Sequence, residues 1–223
     1  MTQNTNIDEV VLKSDLFGHV VRVTRDGETS IRRDIRTAPL WTRGIARWLM
    51  RREARALGAI SGIDGLPRLL HSDRDSLERS FLDGQPMQVA RPYEAEAYFR
   101  DARRLLRRLH RAGVVHNDLA KEPNILVTPD GHAAFIDFQL ARHFARRTGL
   151  FRLLAREDIR HLLKHKRYYC AEALTTRELS ILQRPSLPSR IYMRTIKPIY
   201  LFVTRRLLGW SDREGAGDRG AVR

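Results

Sequence analysis

Residues 114–124 read VVHNDLAKEPN, and residues 136–138 read IDF. The first stretch places Asp118 and Asn124 six residues apart, and Asp137 follows thirteen residues later. Phosphoryl transfer needs this set of groups: one carboxylate to orient an attacking hydroxyl, and an amide oxygen plus a second carboxylate to hold Mg²⁺. Read singly, Asp118 and Asn124 would also suit a turn and Asp137 a strand end, but that interpretation does not explain their spacing.

The sequence on either side predicts a helix before this stretch and a hairpin after it. Apolar residues recur every three or four positions between Pro92 and Arg111, with arginines between them, and Gly113 ends the pattern. The turn signal Pro129-Asp130-Gly131 joins two short β segments, residues 125–127 and 133–138. The three polar residues therefore lie in a loop between a helix and a strand, and at the end of the next strand.

The first third of the chain predicts strands around one helix. Residues 10–36 alternate short apolar stretches around the turn signal Asp26-Gly27, which is typical of a β-hairpin. Residues 46–57 have helical spacing, and residues 68–70 and 76–82 are two further strand candidates. The predicted order is strand, strand, helix, strand, strand.

The pattern His-x-Asp-Leu-x-x-x-x-Asn followed by Ile-Asp-Phe resembles the protein-kinase-like superfamily. The resemblance covers about residues 10–181 and implies an α+β, two-lobed fold. Residues 1–82 would form a small N-lobe, an antiparallel sheet with one helix, and residues 83–210 an abbreviated, mainly helical C-lobe. Residues 211–223, rich in Gly, Arg and Asp, are expected to be a disordered tail.

The resemblance implies ATP and Mg²⁺ as cofactors and gives a role to each polar residue of the loop. Asp118 would be the catalytic base, Asn124 a metal ligand and Asp137 the main Mg²⁺ ligand. Lys121 occupies a position where phosphotransferases place a cation beside the transferring phosphoryl group, although a solvated loop lysine explains it equally well. His116 would brace the loop from within rather than take part in catalysis.

The nucleotide-binding features of the N-lobe are incomplete. The hairpin that would cover the phosphates has a single glycine, Gly18. The strand lysine of kinases is absent, and Arg33 occupies its place, or Arg32 if the strand register shifts by one residue. Glu53 would hold this arginine, unless it pairs with neighbouring arginines at the surface. A guanidinium can clamp a phosphate but does not replace an ammonium directly, so activity depends on this substitution.

A hinge between the lobes would follow the last N-lobe strand. There the backbone groups of Arg79, Ser80 and Phe81 would face the adenine.

Two other positions depart from the superfamily pattern. Asn117 replaces the arginine that reads a phosphorylated activation segment, and Gln139 replaces the glycine after Asp-Phe.

The compact form of the chain looks most like the bacterial lipopolysaccharide-core and Kdo kinases, and next most like the atypical RIO-type kinases. The acceptor would be a hydroxyl of a lipid-linked sugar in the first group and a protein serine or threonine in the second. Two alternatives come from other classes: a pseudokinase binding module without the strand lysine, and a basic nucleic-acid-binding protein. Nucleic acid is disfavoured because aromatic residues make up only 8% of the chain and no nucleic-acid motif occurs.

Charge and cysteine content suggest a compartment and partners. The chain has 41 Lys and Arg against 26 Asp and Glu, which gives a formal charge of +15. A charge of this sign attracts phosphates, nucleic acids or anionic membranes. The alternative is that the basic residues simply occupy solvated helix faces. The single cysteine, Cys170, and an N-terminus without a signal sequence predict a cytoplasmic protein. Residues 191–210 mix apolar, aromatic and basic residues, which predicts a helix bound to the inner membrane face or packed on the lobe.

Overall fold

The structure, a computed structural model, describes residues 7–183. The chain divides into two units, residues 1–173 and residues 174–223. The first unit contains elements of both predicted lobes, whose bounds at residues 1–82 and 83–210 stay a prediction. The predicted helix at residues 191–210 and the predicted tail at residues 211–223 lie outside the described residues.

A five-stranded antiparallel sheet forms the N-terminal part of the first unit, in the order β1-β2-β3-β5-β4. The predicted hairpin is confirmed, because Asp26 and Gly27 both have positive φ and join β2 to β3, as the favoured two-residue hairpin turn requires. The strands are β1 Ile7–Asp15, β2 Gly18–Arg25, β3 Glu28–Asp34, β4 Leu69–Ser72 and β5 Ser76–Ser80.

The single helix of this part, α1, runs Leu40–Ala59 between β3 and β4. It begins six residues earlier than the sequence predicts, because Pro39 directly precedes its first turn. The Thr42 hydroxyl also donates to the carbonyl of Leu16 at 2.6 Å, which fixes the start of the helix to the β1–β2 turn. Its buried face is apolar at Ala46, Met50 and Leu57 but also carries Glu53. A buried carboxylate on an apolar face requires partners.

In the first unit, further strands and helices precede and follow the predicted loop along the chain. Two small antiparallel sheets have the orders β6-β8-β9 and β10-β7. The strands are β6 Gln85–Pro86, β7 Val114–Val115, β8 Ile125–Val127, β9 Ala133–Phe135 and β10 Arg142–His143. The helices are α2 Met87–Ala90, α3 Ala95–Arg111, α4 Gly149–Tyr169 and, in the second unit, α5 Thr176–Gln183, with 3₁₀ turns at Glu122–Asn124, Phe138–Leu140 and Ala171–Ala173.

The core of the first unit joins α3 to the strands around the loop. On α3, Tyr98, Leu106 and Leu109 are buried, and the arginines between them are exposed, as the helical spacing predicts. Phe135 and Phe138, on either side of Ile136-Asp137, are fully buried in the same core. Packing therefore fixes the position of Asp137 from both sides.

Helix caps explain where α4 and α5 begin. The Thr148 hydroxyl accepts the N–H of Phe151 at the start of α4. Within the second unit, Thr175 and Glu178 bond to each other's backbone N–H groups, which is a capping box with Thr175 as the N-cap. Among residues 7–183, no helix is long and apolar enough to cross a membrane.

We predict that Gly18→Ala lowers the free energy of unfolding by about 1–3 kcal/mol or more. Gly18 has a φ of 109°, and a Cβ there would lie 2.1 Å from the carbonyl oxygen of Asp34 on β3. Gly44→Ala is the control, because Gly44 has helical φ and open space, so alanine should stabilise α1 by up to ~1 kcal/mol. Urea denaturation followed by circular dichroism measures both, and a Gly18→Ala variant of unchanged stability would contradict the close packing.

Candidate active site

The loop between β7 and β8 brings Asp118, Lys121 and Asn124 together. The side-chain amide of Asn124 donates to the carboxylate of Asp118 at 2.9 Å and to the Asp118 carbonyl at 3.0 Å. The Lys121 ammonium lies 3.1 Å from the same carboxylate. Asp118 is largely buried, and burial raises its pKa above the usual range, against the opposing effect of Lys121 and with help from Asp137.

A buried aspartate on α4, Asp158, holds the backbone of this loop. Its carboxylate accepts the N–H of His116 at 2.8 Å and the N–H of Asn117 at 2.9 Å, and His110 Nε2 lies 3.1 Å away. Asn117 has a φ of 64°, a left-handed conformation that these bonds help to maintain just before Asp118. Asp158 therefore orients the loop, although it is remote in sequence.

The side chain of His116 links the loop to the segment that carries Asp137. Its Nε2 donates to the carbonyl of Ile136 at 3.0 Å, since a carbonyl can only accept, and its ring packs on Phe138 at 4.7 Å between centroids. Burial lowers the pKa of His116, so the ring is neutral near pH 7. This is the bracing position that the resemblance implies for His116.

Asp137 lies in a turn rather than in the strand that the sequence predicts up to residue 138. β9 ends at Phe135, and Asp137 has a φ of 61° before a 3₁₀ turn. The Ile136 N–H donates to the Asn124 carbonyl at 3.0 Å, which places Asp137 beside Asn124 and Asp118. Burial would raise the pKa of Asp137, but the positive charges of Arg33 and Arg79 outweigh it and keep the pKa below its usual range.

Glu53 lies between two arginines that face Asp137. Its side chain is 1% exposed, and its carboxylate oxygens lie 3.5 Å from Arg33 Nε and 3.7 Å from Arg79 Nε. Strand register explains the pair, because Arg33 lies opposite the buried Leu77 and Arg79 lies opposite Ile31, on the inner face of the sheet. The site thus has two guanidinium groups where kinases have one ammonium.

The alternative register for the strand arginine does not occur. Arg32 lies on the other face of β3, where its guanidinium bonds to Glu9 at 2.7 Å in an exposed position. Glu53 pairs with Arg33 and Arg79 in the interior, not with surface arginines. The pairing of Arg33 with Glu53 is therefore the arrangement that the structure has.

The other predicted nucleotide contacts have structural partners of their own. Gly18 is buried against β3, so its lack of a Cβ already serves strand packing. The N–H groups of Ser80 and Phe81 donate to the carbonyls of Arg68 at 2.9 Å and Thr29 at 3.4 Å. These two amide groups are thus occupied within the sheet, and Arg79 reaches the site through its side chain rather than its backbone.

The segment after Asp137 is held from the loop and from α1. The Asn117 side chain donates to the carbonyl of Leu140 at 2.9 Å, and Arg52 on α1 donates to the same carbonyl at 2.9 Å and to that of Ala141 at 3.2 Å. Asn117 thus has a tethering role where other kinases use an arginine. α1, the loop and this segment form one connected unit around the site.

The oxygen atoms of Asn124 and Asp137 fit Mg²⁺. Among residues 7–183 the Asp137 carboxylate accepts one long hydrogen bond, from the Gln139 N–H at 3.4 Å. The Asn124 amide nitrogen donates its hydrogen bond to Asp118, and this orientation leaves the amide oxygen to make other contacts. Carboxylate and amide oxygens suit this cation, which usually takes one or two carboxylates and completes its shell with phosphates and water.

Sequence reasoning missed Asp158, Arg52, His165 and the side chain of Arg79. His165 lies on the buried face of α4, seven residues from Asp158, and its Nε2 donates to the Leu119 carbonyl at 2.9 Å. Both polar residues interrupt the apolar face of a helix, and that interruption is the signal that could have identified them. The inward direction of Arg79 depends on strand register, for which the sequence has no local signal.

Comparison with known proteins places the chain in one of the two groups that its sequence resembles. A family model described as RIO domain matches residues 5–184 of the 223. No curated protein gives a significant match. The match is to the second of the two groups, not to the lipopolysaccharide-core kinases that the sequence resembles first, and it confirms the kinase-like α+β fold. The chain therefore belongs to the RIO domain family, the atypical kinases of the protein-kinase-like superfamily.

Proposed function

We propose that this chain transfers the γ-phosphoryl group of Mg·ATP to a hydroxyl group, with Asp118 as the catalytic base. Two hydrogen bonds carry the proposal: the Asn124 amide donates to Asp118, and the N–H of Ile136, the residue before Asp137, donates to the Asn124 carbonyl. In this arrangement the proposed base and the two proposed oxygen ligands would lie close together. Family membership supports the coarser statement, an ATP-binding kinase domain.

The position of Asp118 suits a base that accepts the proton of an acceptor hydroxyl. Burial raises the pKa of its carboxyl group, which makes the carboxylate more basic, and the Asn124 amide fixes its orientation. Lys121 is more than half exposed and its ammonium lies 3.1 Å from the Asp118 carboxylate, so its charge would lie beside a transferring phosphoryl group. Bound Mg²⁺, held by Asn124 and Asp137, would neutralise phosphate charge.

We propose that Arg33 and Arg79 together replace the missing lysine. Both are mostly buried beside Glu53, and both lower the pKa of Asp137, which indicates that their charges reach the proposed metal site. Two guanidinium groups can bind phosphate oxygens in bidentate fashion. The alternative is a pseudokinase that binds nucleotide without transfer, and the absent lysine is the observation that favours it.

The RIO match favours a protein serine or threonine as the acceptor, in the cytoplasm where ATP is available. A lipid-linked sugar at the inner face of the membrane stays the alternative acceptor, and with it peripheral membrane binding. The formal net charge of +15 suits either an acidic protein or an anionic membrane.

The first test of this function is Asp118→Asn in a transfer assay. Labelled ATP and Mg²⁺ are incubated with the protein and with a protein-enriched or a lipid-enriched cell fraction. We expect label in the protein fraction and a loss of turnover of about 10² or more in the variant, with ATP affinity nearly unchanged. Equal turnover in the variant would rule out Asp118 as the base, and label in the lipid fraction alone would identify the other acceptor.

Asp137→Asn should remove Mg²⁺-dependent ATP binding, because a carboxylate that offsets the charge of metal and phosphate is lost. Calorimetry with and without Mg²⁺ measures the effect, and melting temperature controls for folding. Asp64→Asn, whose side chain is fully exposed, is a matched control for the loss of one carboxylate charge. Unchanged Mg·ATP affinity in Asp137→Asn would count against the metal assignment.

Arg33 and Arg32 are neighbours on β3, and a comparison of their variants distinguishes a contact in the proposed site from one at the surface. Arg33→Ala should weaken ATP binding at least about tenfold, since a buried charge-assisted contact is lost, whereas Arg32→Ala, which breaks only the exposed pair with Glu9, should leave it unchanged. Arg33→Lys should recover part of the affinity. Equal effects of both alanine variants in a nucleotide-binding titration would contradict a phosphate contact by Arg33.

A further inference from the structure

A groove of 470 Å³ lies between the end of α3 and the first half of α4, away from the ATP-site residues described above. Five arginines line it, and its floor is apolar, formed by Phe151, Ala155 and Ile159. We call it the arginine groove, and its arginines are Arg107, Arg111, Arg147, Arg152 and Arg156. Among residues 7–183, those that line the groove include no carboxylate.

The arginines of the groove have no acidic partners within the part of the chain that the structure describes. Elsewhere on the same helices, arginines are paired: Arg100 with Glu96 on α3, and Arg160 with Glu157 on α4. The arginine side chains of the groove are exposed, and the positive end of the α4 dipole adds to their field. The groove is therefore a concentrated positive site that an anion would neutralise.

The spacing of the charges indicates a linear anion rather than a single one. Arg107 and Arg111 are one helical turn apart on α3, as are Arg152 and Arg156 on α4, so charges recur at roughly 6 Å along each wall. The floor residues also recur every four positions and would receive an apolar group between the walls. Such a ligand combines repeated negative charges with at least one apolar side chain.

The floor distinguishes a peptide from a nucleic acid. Single-stranded nucleic acids gain much of their affinity by stacking bases on open aromatic faces. The only aromatic ring of the floor, Phe151, is 5% exposed and packs edge-to-face against Phe144 and His110. The described part of the groove thus offers charge and a small aliphatic surface but no open aromatic face for stacking.

We propose that the arginine groove docks an acidic segment of a partner protein, with an apolar side chain of that segment on the floor formed by Ala155 and Ile159. His110 lines the groove and also contacts Asp158, which holds the catalytic loop, so the docked segment would lie directly behind that loop. If the proposed kinase function holds, this surface would recruit a protein acceptor. Docking itself needs no catalysis.

The test is fluorescence anisotropy with the full chain and a labelled peptide of glutamates interrupted by leucines. We expect binding that weakens as salt rises, and clearly weaker binding of two control peptides, one with glutamine for glutamate and one with serine for leucine. Arg107→Glu with Arg156→Glu should reduce affinity at least about tenfold. An equal charge change outside the groove, Arg104→Glu with Arg51→Glu, replaces exposed arginines on α3 and α1 and should have a much smaller effect.

Three outcomes would overturn the docking site. Equal losses of peptide affinity in the two double variants would mean that the peptide is attracted to the overall charge of the protein rather than to the groove. Tighter binding of a labelled oligothymidylate, lost in the groove variant, would make the ligand a nucleic acid. Absence of peptide binding at low salt would mean that no such site exists, whatever the result of the phosphoryl-transfer assay.

Discussion

The geometry of the site depends on one buried carboxylate, that of Asp158. It is fully buried, so its hydrogen bonds must come from the protein, and it receives N–H groups from two consecutive loop residues as well as a contact from His110. Losing it would leave those donors without an acceptor, at about 1–3 kcal/mol for each buried group. The loop conformation, and with it the direction of Asp118, is thus set by a helix that begins twenty-five residues after the loop.

A second buried carboxylate, Glu53, determines how the sheet and α1 meet the site. Burying an isolated carboxylate at that depth would cost more free energy than a single ion pair recovers. Here two guanidinium groups, those of Arg33 and Arg79, neutralise the Glu53 carboxylate together. Their charge also reaches Asp137, where it favours the ionised form that a metal needs. Since Arg52 binds α1 to the segment after Asp137, the elements on both sides of the site are held by fixed contacts between residues of this chain.

Much of the fold could be predicted because its signals are local. Asp26-Gly27 specifies a hairpin turn, Gly113 ends a helix, and helical spacing places the apolar face of α3. Pairings between distant segments have no such signal. The choice between Arg33 and Arg32 depends on a register that is set by Leu77 on another strand, and the role of Arg79 depends on the same register. The loop residues Asp118 and Asn124 were predictable from spacing, whereas their support by Asp158 required the tertiary structure.

The arginines of this chain fall into classes that composition alone cannot separate. Arg33 and Arg79 neutralise a buried carboxylate, Arg52 binds backbone carbonyls, and Arg100 pairs on an exposed helix face. Each of these charges is offset by a contact within the chain. The arginine groove differs because its walls repeat the charge while no described carboxylate offsets it. Like charges that no carboxylate offsets repel one another, so the row of arginines in the groove destabilises the free protein. A ligand that supplies negative charge at this place would remove the repulsion, which is the best explanation for the arrangement.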